Sequence, residues 1–156
     1  KICAVRVNNH SKNITISLSD ERVLNLPYSE LALKPTPTDG VNEIYVDQEL
    51  AGRAVTYTLE SGKEDSVPLD VFLDFNLDIE YLRRQELYRL TLLALEKMKL
   101  SQVSKRDLAR RMGTSPAQLY RLLDTAHHTK TLDQMFKLLT FLGLTVRLEA
   151  KTRRAA

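Results

Sequence analysis

The chain offers few groups that could act chemically on a bound molecule, and most of them lie between Lys105 and Lys130. His127 and His128 prompt a metal or catalytic reading. Adjacent loop histidines point apart, however, and no Cys, Asp or Glu cluster supplies further ligands at the spacing of a metal site. A polar loop is the expected outcome. His10 falls in a turn. Cys3 falls in an apolar stretch and is expected to be a buried small hydrophobe. The sequence contains no glycine-rich phosphate loop, nucleophile elbow or paired metal-binding histidine motif. No catalytic residue, metal or cofactor is therefore assigned, and the chain is not expected to be an enzyme.

Charge is the second chemical signal. The 156 residues carry a formal net charge of +3, but that figure conceals a division. Residues 1–77 hold 7 Lys and Arg against 12 Asp and Glu. Residues 78–156 hold 16 against 8. A basic half beside an acidic half suggests a polyanionic partner for the basic half alone. The hydrophobic fraction of 43% suffices for real cores. No apolar run approaches the ~20 residues of a membrane span, so no membrane partner is expected. A single cysteine excludes an internal disulfide, and no secretory pattern opens the chain. A cytoplasmic setting is the expectation.

Two kinds of element must position these groups. The first 77 residues read as β. Ile2 to Val7 is apolar and partly β-branched, and Ile14-Thr15-Ile16-Ser17-Leu18 alternates as a half-buried strand does. Further strands are expected at Val23–Leu26, Ile44–Val46 and Val55–Leu59. After a Ser61-Gly62 turn, another is expected at Val67-Pro68-Leu69. Tyr28 to Leu33 suits a short helix or strand. Pro35, Pro37, Asp39 and Gly40 form an irregular connection. The expectation is one small antiparallel sheet with one face covered. From Asp78 the period becomes helical, and one long helix is expected from Ile79 to Lys99.

Beyond it the caps are explicit. Ser104 followed by Asp107 resembles a capping box. Gly113 stops that helix, since glycine enters the left-handed region most easily. Ser115 then serves as N-cap, with Pro116 in the first helical position. Counted from Lys105, small Ala109 is fifth and Gly113 ninth. Leu108, Met112, Leu119 and Leu122 take the fourth, eighth, fifteenth and eighteenth places. Small and glycine residues at those places let two short helices cross closely, and the apolar four fill the space between them. Thr131-Leu132-Asp133-Gln134 caps one more helix, with Met135, Leu138, Leu139 and Leu142 as its core face. Gly143 ends it, and Leu144 to Leu148 reads as a strand.

Through Leu108-Ala109-Arg110-Arg111-Met112-Gly113-Thr114-Ser115 and Leu119-Tyr120-Arg121-Leu122-Leu123, the sequence resembles the lambda-repressor-like (Xre-type) helix-turn-helix family. The order of Leu122-Leu123-Asp124, a polar loop, Thr131-Leu132-Asp133, then Leu142-Gly143 and a strand is similar to the DNA-binding half of HicB- and HigA-type antitoxins. The likeness covers residues 85–149. The strand-like segments place a β-rich domain for dimerisation or partner binding at 1–77, and the likeness implies a helix-turn-helix domain at 78–156, so an α+β chain is expected. The likeness also implies a transcriptional regulator, most simply a repressor, that binds double-stranded DNA as a homodimer. The second helix of the pair would enter the major groove. Its base-edge candidates are Ser115, Pro116, Ala117, Gln118 and Arg121. Gln suits adenine, Arg suits guanine, and Ala suits a thymine methyl. Phosphate candidates are Lys105, Arg106, Thr114, Tyr120, Thr125, His127, His128, Thr129 and Lys130. The first two gain from a helix N-terminus. Arg110 and Arg111 lie farther round. Two alternatives remain open. One is an antitoxin-like module whose N-terminal domain neutralises a protein partner and whose DNA binding serves autoregulation. The other is an enzyme with a DNA-binding tail.

Overall fold

A computed structural model describes residues 1–147 and 149. Among them the chain is mixed α+β, with two three-stranded antiparallel sheets and five α-helices. It divides into two compact units, Lys1–Leu82 and Arg83–Ala156.

The first unit holds both sheets, where the sequence suggested one. Strands β1 (Ile2–Asn8), β2 (Asn13–Leu18) and β3 (Val23–Pro27) form a meander in that order. Alternation decides its register. Ile14 pairs with Leu26 and Ile16 with Leu24, so four buried side chains share one face. A single 3-10 turn follows at Tyr28–Glu30. Pro35 and Pro37 then interrupt pairing, because neither ring nitrogen can donate to a ladder. A second meander begins after them, with β4 (Val41–Val46), β5 (Ala54–Leu59) and β6 (Glu64–Pro68). Central β5 is buried at five of its six positions. Buried Thr56 stays satisfied by Asp47 at 3.1 Å and Ser66 at 2.7 Å. The expected strand across Val67-Pro68-Leu69 ends at Pro68. There the extended backbone instead opens α1 (Leu69–Phe75), which buries Leu69, Phe72 and Leu73. Both sheets and α1 share one apolar core.

Cys3 corrects its expectation. Ile2 is buried, so the next side chain along the strand faces away, and Cys3 is exposed. Gly52 is needed where it stands. Its φ is +69°, and a Cβ there would come within 2.8 Å of the Lys1 side chain.

The long helix α2 runs Ile79–Ser101, and its first turn belongs to the first unit. Asp78 accepts from the Tyr81 N–H at 2.9 Å and pairs with Arg22. In the second unit α2 buries Leu87, Thr91, Ala94 and Met98, spaced four, three and four residues apart. These side chains join a core with α3 (Lys105–Met112), α4 (Pro116–Leu123) and α5 (Leu132–Phe141). Leu144 to Arg147 form no strand, against expectation, and Leu148 lies outside the described residues. A strand needs a ladder partner, and the described part of this unit contains no other strand. Leu144 and Val146 instead rest half-buried on the helical core.

Candidate nucleic-acid interface

Helices α3 and α4 hold the sequence-singled residues through their ends. Ser104 caps α3, its hydroxyl accepting from the Asp107 N–H at 3.1 Å and donating to the Asp107 carboxylate at 2.7 Å. That second bond, with the charges of Arg110, Arg111 and Arg106, holds the Asp107 carboxyl below the usual carboxylate range. Gly113 then takes φ +64° and ψ 35°, and the Thr114 N–H returns to the Ala109 carbonyl at 3.0 Å. Only one further residue separates this turn from α4. Ser115 accepts from the Gln118 N–H at 3.1 Å, and Pro116 occupies the first turn, where no donor is required. Each such cap contributes about 1 kcal/mol.

Packing decides which faces remain available. Leu108, Ala109 and Met112 of α3 and Leu119, Leu122 and Leu123 of α4 are buried. Ser115, Pro116, Ala117, Tyr120 and Arg121 are therefore exposed, and Gln118 is half-buried. Ala117 and Arg121, four residues apart, lie on one helix face. Lys105 and Arg106 are exposed at the opening turn of α3. The Lys105 ammonium stands 4.9 Å from the centre of the Tyr120 ring. Two residues 15 apart in sequence thus meet at one place, which spacing alone does not foretell.

The remaining phosphate candidates follow α4 or the turn. Thr114, Thr125 and His127 are half-buried, and His128 and Thr129 are exposed. His127 Nε2 shares a hydrogen bond with the Thr129 hydroxyl at 2.8 Å, and the His128 carbonyl accepts from Arg83 at 3.3 Å. Arg110 is tied to Asp107 at 2.8 Å. Among the described residues no group of three His, Cys, Asp or Glu could hold a metal ion. None of their helices is long and apolar enough to cross a membrane.

Comparison of the chain with known protein families, curated proteins and solved structures finds no match.

Lys130 is buried and does not belong to that surface, contrary to its expected phosphate contact. The residue is 3% exposed. Its ammonium donates to the Thr91 hydroxyl at 2.6 Å, the Leu122 carbonyl at 3.2 Å and the Asp124 carbonyl at 2.7 Å. Three donors meet three acceptors, leaving none for a ligand. Two of those acceptors are carbonyls at the end of α4, the negative end of its dipole. Burial pushes this ammonium down from the usual lysine range, and Asp124 opposes the shift. A lysine inside the core was not legible from the sequence. Its one signal was its place immediately before the cap of α5.

Proposed function

We propose that α3 and α4 form a helix-turn-helix that binds double-stranded DNA, with α4 leading its N-terminal residues into the major groove. The observation that supports this most is the exposed face of α4. Ala117 and Arg121 stand clear beside the turn with Gln118 half-buried between them, while Leu119, Leu122 and Leu123 anchor the opposite side. The Gln118 amide can donate to adenine N7 and accept from its N6 amino group, Arg121 can donate to guanine O6 and N7, and Ala117 suits a thymine methyl. Ser115 and Pro116 open that helix at the groove. Lys105, Arg106 and Tyr120 flank it as phosphate contacts, joined by the polar groups Thr114, Thr125, His127, His128 and Thr129.

On this reading the chain is a transcriptional regulator. Two copies would bind half-sites about one helical turn apart. Selection of bound sequences from random duplex DNA tests the proposal. It should return a site with paired half-sites, and Arg121→Ala should relax preference at one base pair of each. Recovery of no preferred sequence would overturn it.

A further inference from the structure

The first unit contains a cleft of about 340 Å³, lined by Asn9, Lys12, Tyr28, Pro35, Pro37 and Glu60, among others. That volume lies at the small end of the range of about 300–1,000 Å³ for ligand pockets. It suits a small metabolite better than a nucleotide cofactor.

The walls are fixed before any ligand arrives. Tyr28 is 7% exposed and donates its hydroxyl to Asn9 Oδ1 at 2.6 Å. The Tyr28 N–H donates to the Lys12 carbonyl at 2.9 Å, holding Lys12 at φ +53°. Asn8 secures the same turn by accepting from the N–H groups of His10 and Ser11, both at 3.0 Å. On the other side, Pro35 and Pro37 stiffen the backbone. Thr36 and Asp39 exchange backbone hydrogen bonds of 3.0 and 3.2 Å. Asp39 accepts from both the N–H and the hydroxyl of Ser61 at 2.8 Å, tying this loop to the β5–β6 turn. Glu60 N donates to the Gly40 carbonyl at 3.0 Å. A ligand entering such walls need not order them.

The contents are complementary in kind. Tyr28 and the two proline rings supply apolar surface. Lys12 and Glu60 supply opposite charges, and neither side chain has an ion-pair or hydrogen-bond partner among the described residues. Asn9 keeps its amide NH₂ as a further donor, since Tyr28 occupies only the oxygen. A cleft with one unpaired cation, one unpaired anion and an apolar wall matches a zwitterion with an apolar body. We propose that it binds a free amino acid with a large apolar or aromatic side chain. The carboxylate would face Lys12 and Asn9, and the ammonium would face Glu60. The side chain would lie against Tyr28, Pro35 and Pro37. The site lies wholly in the first unit and needs no DNA, so its fate is independent of the reading of α4.

Isothermal titration of the full chain tests this with L-phenylalanine and L-leucine. Phenylpropionate and phenethylamine serve as analogues that each lack one charge. At least one amino acid should bind one-to-one with Kd below about 1 mM. Each analogue should bind at least about tenfold more weakly, as should the amino acid to Lys12→Gln and Glu60→Gln. Both substitutions are at exposed positions, and unchanged circular dichroism will report intact folding. No binding by either amino acid would overturn the proposal. Equal affinity for the single-charge analogues, or undiminished affinity in both folded variants, would do so as well.

Discussion

The Lys105 ammonium lies 4.9 Å from the centre of the Tyr120 ring, joining the first turn of α3 to the middle of α4. A cation over an aromatic face contributes about 0.5–1 kcal/mol at an exposed site. It also places a positive charge and a phenolic hydroxyl side by side at the edge of the proposed DNA surface. Lys105→Ala should weaken binding to all DNA sequences alike and make the salt slope shallower by about 0.9. Titrations of one preferred and one scrambled duplex at several salt concentrations will measure this. A loss confined to the preferred duplex would assign Lys105 to base reading instead.

Arg121 is exposed on the face it shares with Ala117, in a helix whose other side is core. Arg121→Ala should cost about 1–3 kcal/mol on the preferred duplex, with little effect on stability. Competition binding and thermal unfolding check the two halves of that statement. Unchanged affinity would remove Arg121 from the interface.

Gly113 connects the two helices at φ +64°, and a Cβ there would meet no atom within 4 Å. The cost of a side chain is thus one of backbone conformation alone. Gly113→Ala should destabilise the second unit by about 1–2 kcal/mol, read from denaturant midpoints. Gly113→Asn should lose less, because Asn tolerates the left-handed region. Equal losses would point to a packing cause.

Lys130 makes a pH-dependent prediction. Burial lowers its pKa in the folded chain below the unfolded value of about 10.4. The folded state therefore releases this proton first as pH rises. The destabilising burial of charge is fully present below the folded value and is relieved as pH climbs towards the unfolded one. Relative to Lys130→Met, the parent chain should gain stability across that alkaline window. At neutral pH the variant should still be the less stable, because the Leu122 and Asp124 carbonyls lose their donor. Urea unfolding at stepped pH will show both effects. A constant difference between the two proteins across the alkaline range would contradict the first.

Local chemistry was legible from the residues, and tertiary placement was not. Ser104, Gly113, Ser115, Pro116 and Thr131 announce their helix ends because caps depend on a few neighbouring groups. The alternation of Ile14, Ile16 and Leu18 announces a half-buried strand for the same reason. The separation of the β region into two sheets was harder to see. It depends on which strand edges meet after the Pro35–Pro37 interruption. Helix α1 is hidden in the sequence because Val67-Pro68-Leu69 reads as one apolar run, and only Pro68 marks the change. The segment from Leu144 has the pattern of a strand, but pattern supplies no pairing partner. On the candidate surface, exposure of Ala117 and Arg121 followed from the leucines behind them. The inward turn of Lys130 did not, because it depends on Thr91 and on carbonyls contributed by another segment.

The most direct measurement is the salt dependence of duplex DNA binding by the full chain. If Lys105 and Arg106 each neutralise a phosphate, log K against log salt should fall with a slope of about −1.8 or steeper. A flat response, or no binding at low salt, would contradict the claim that α3 and α4 present a DNA-binding surface.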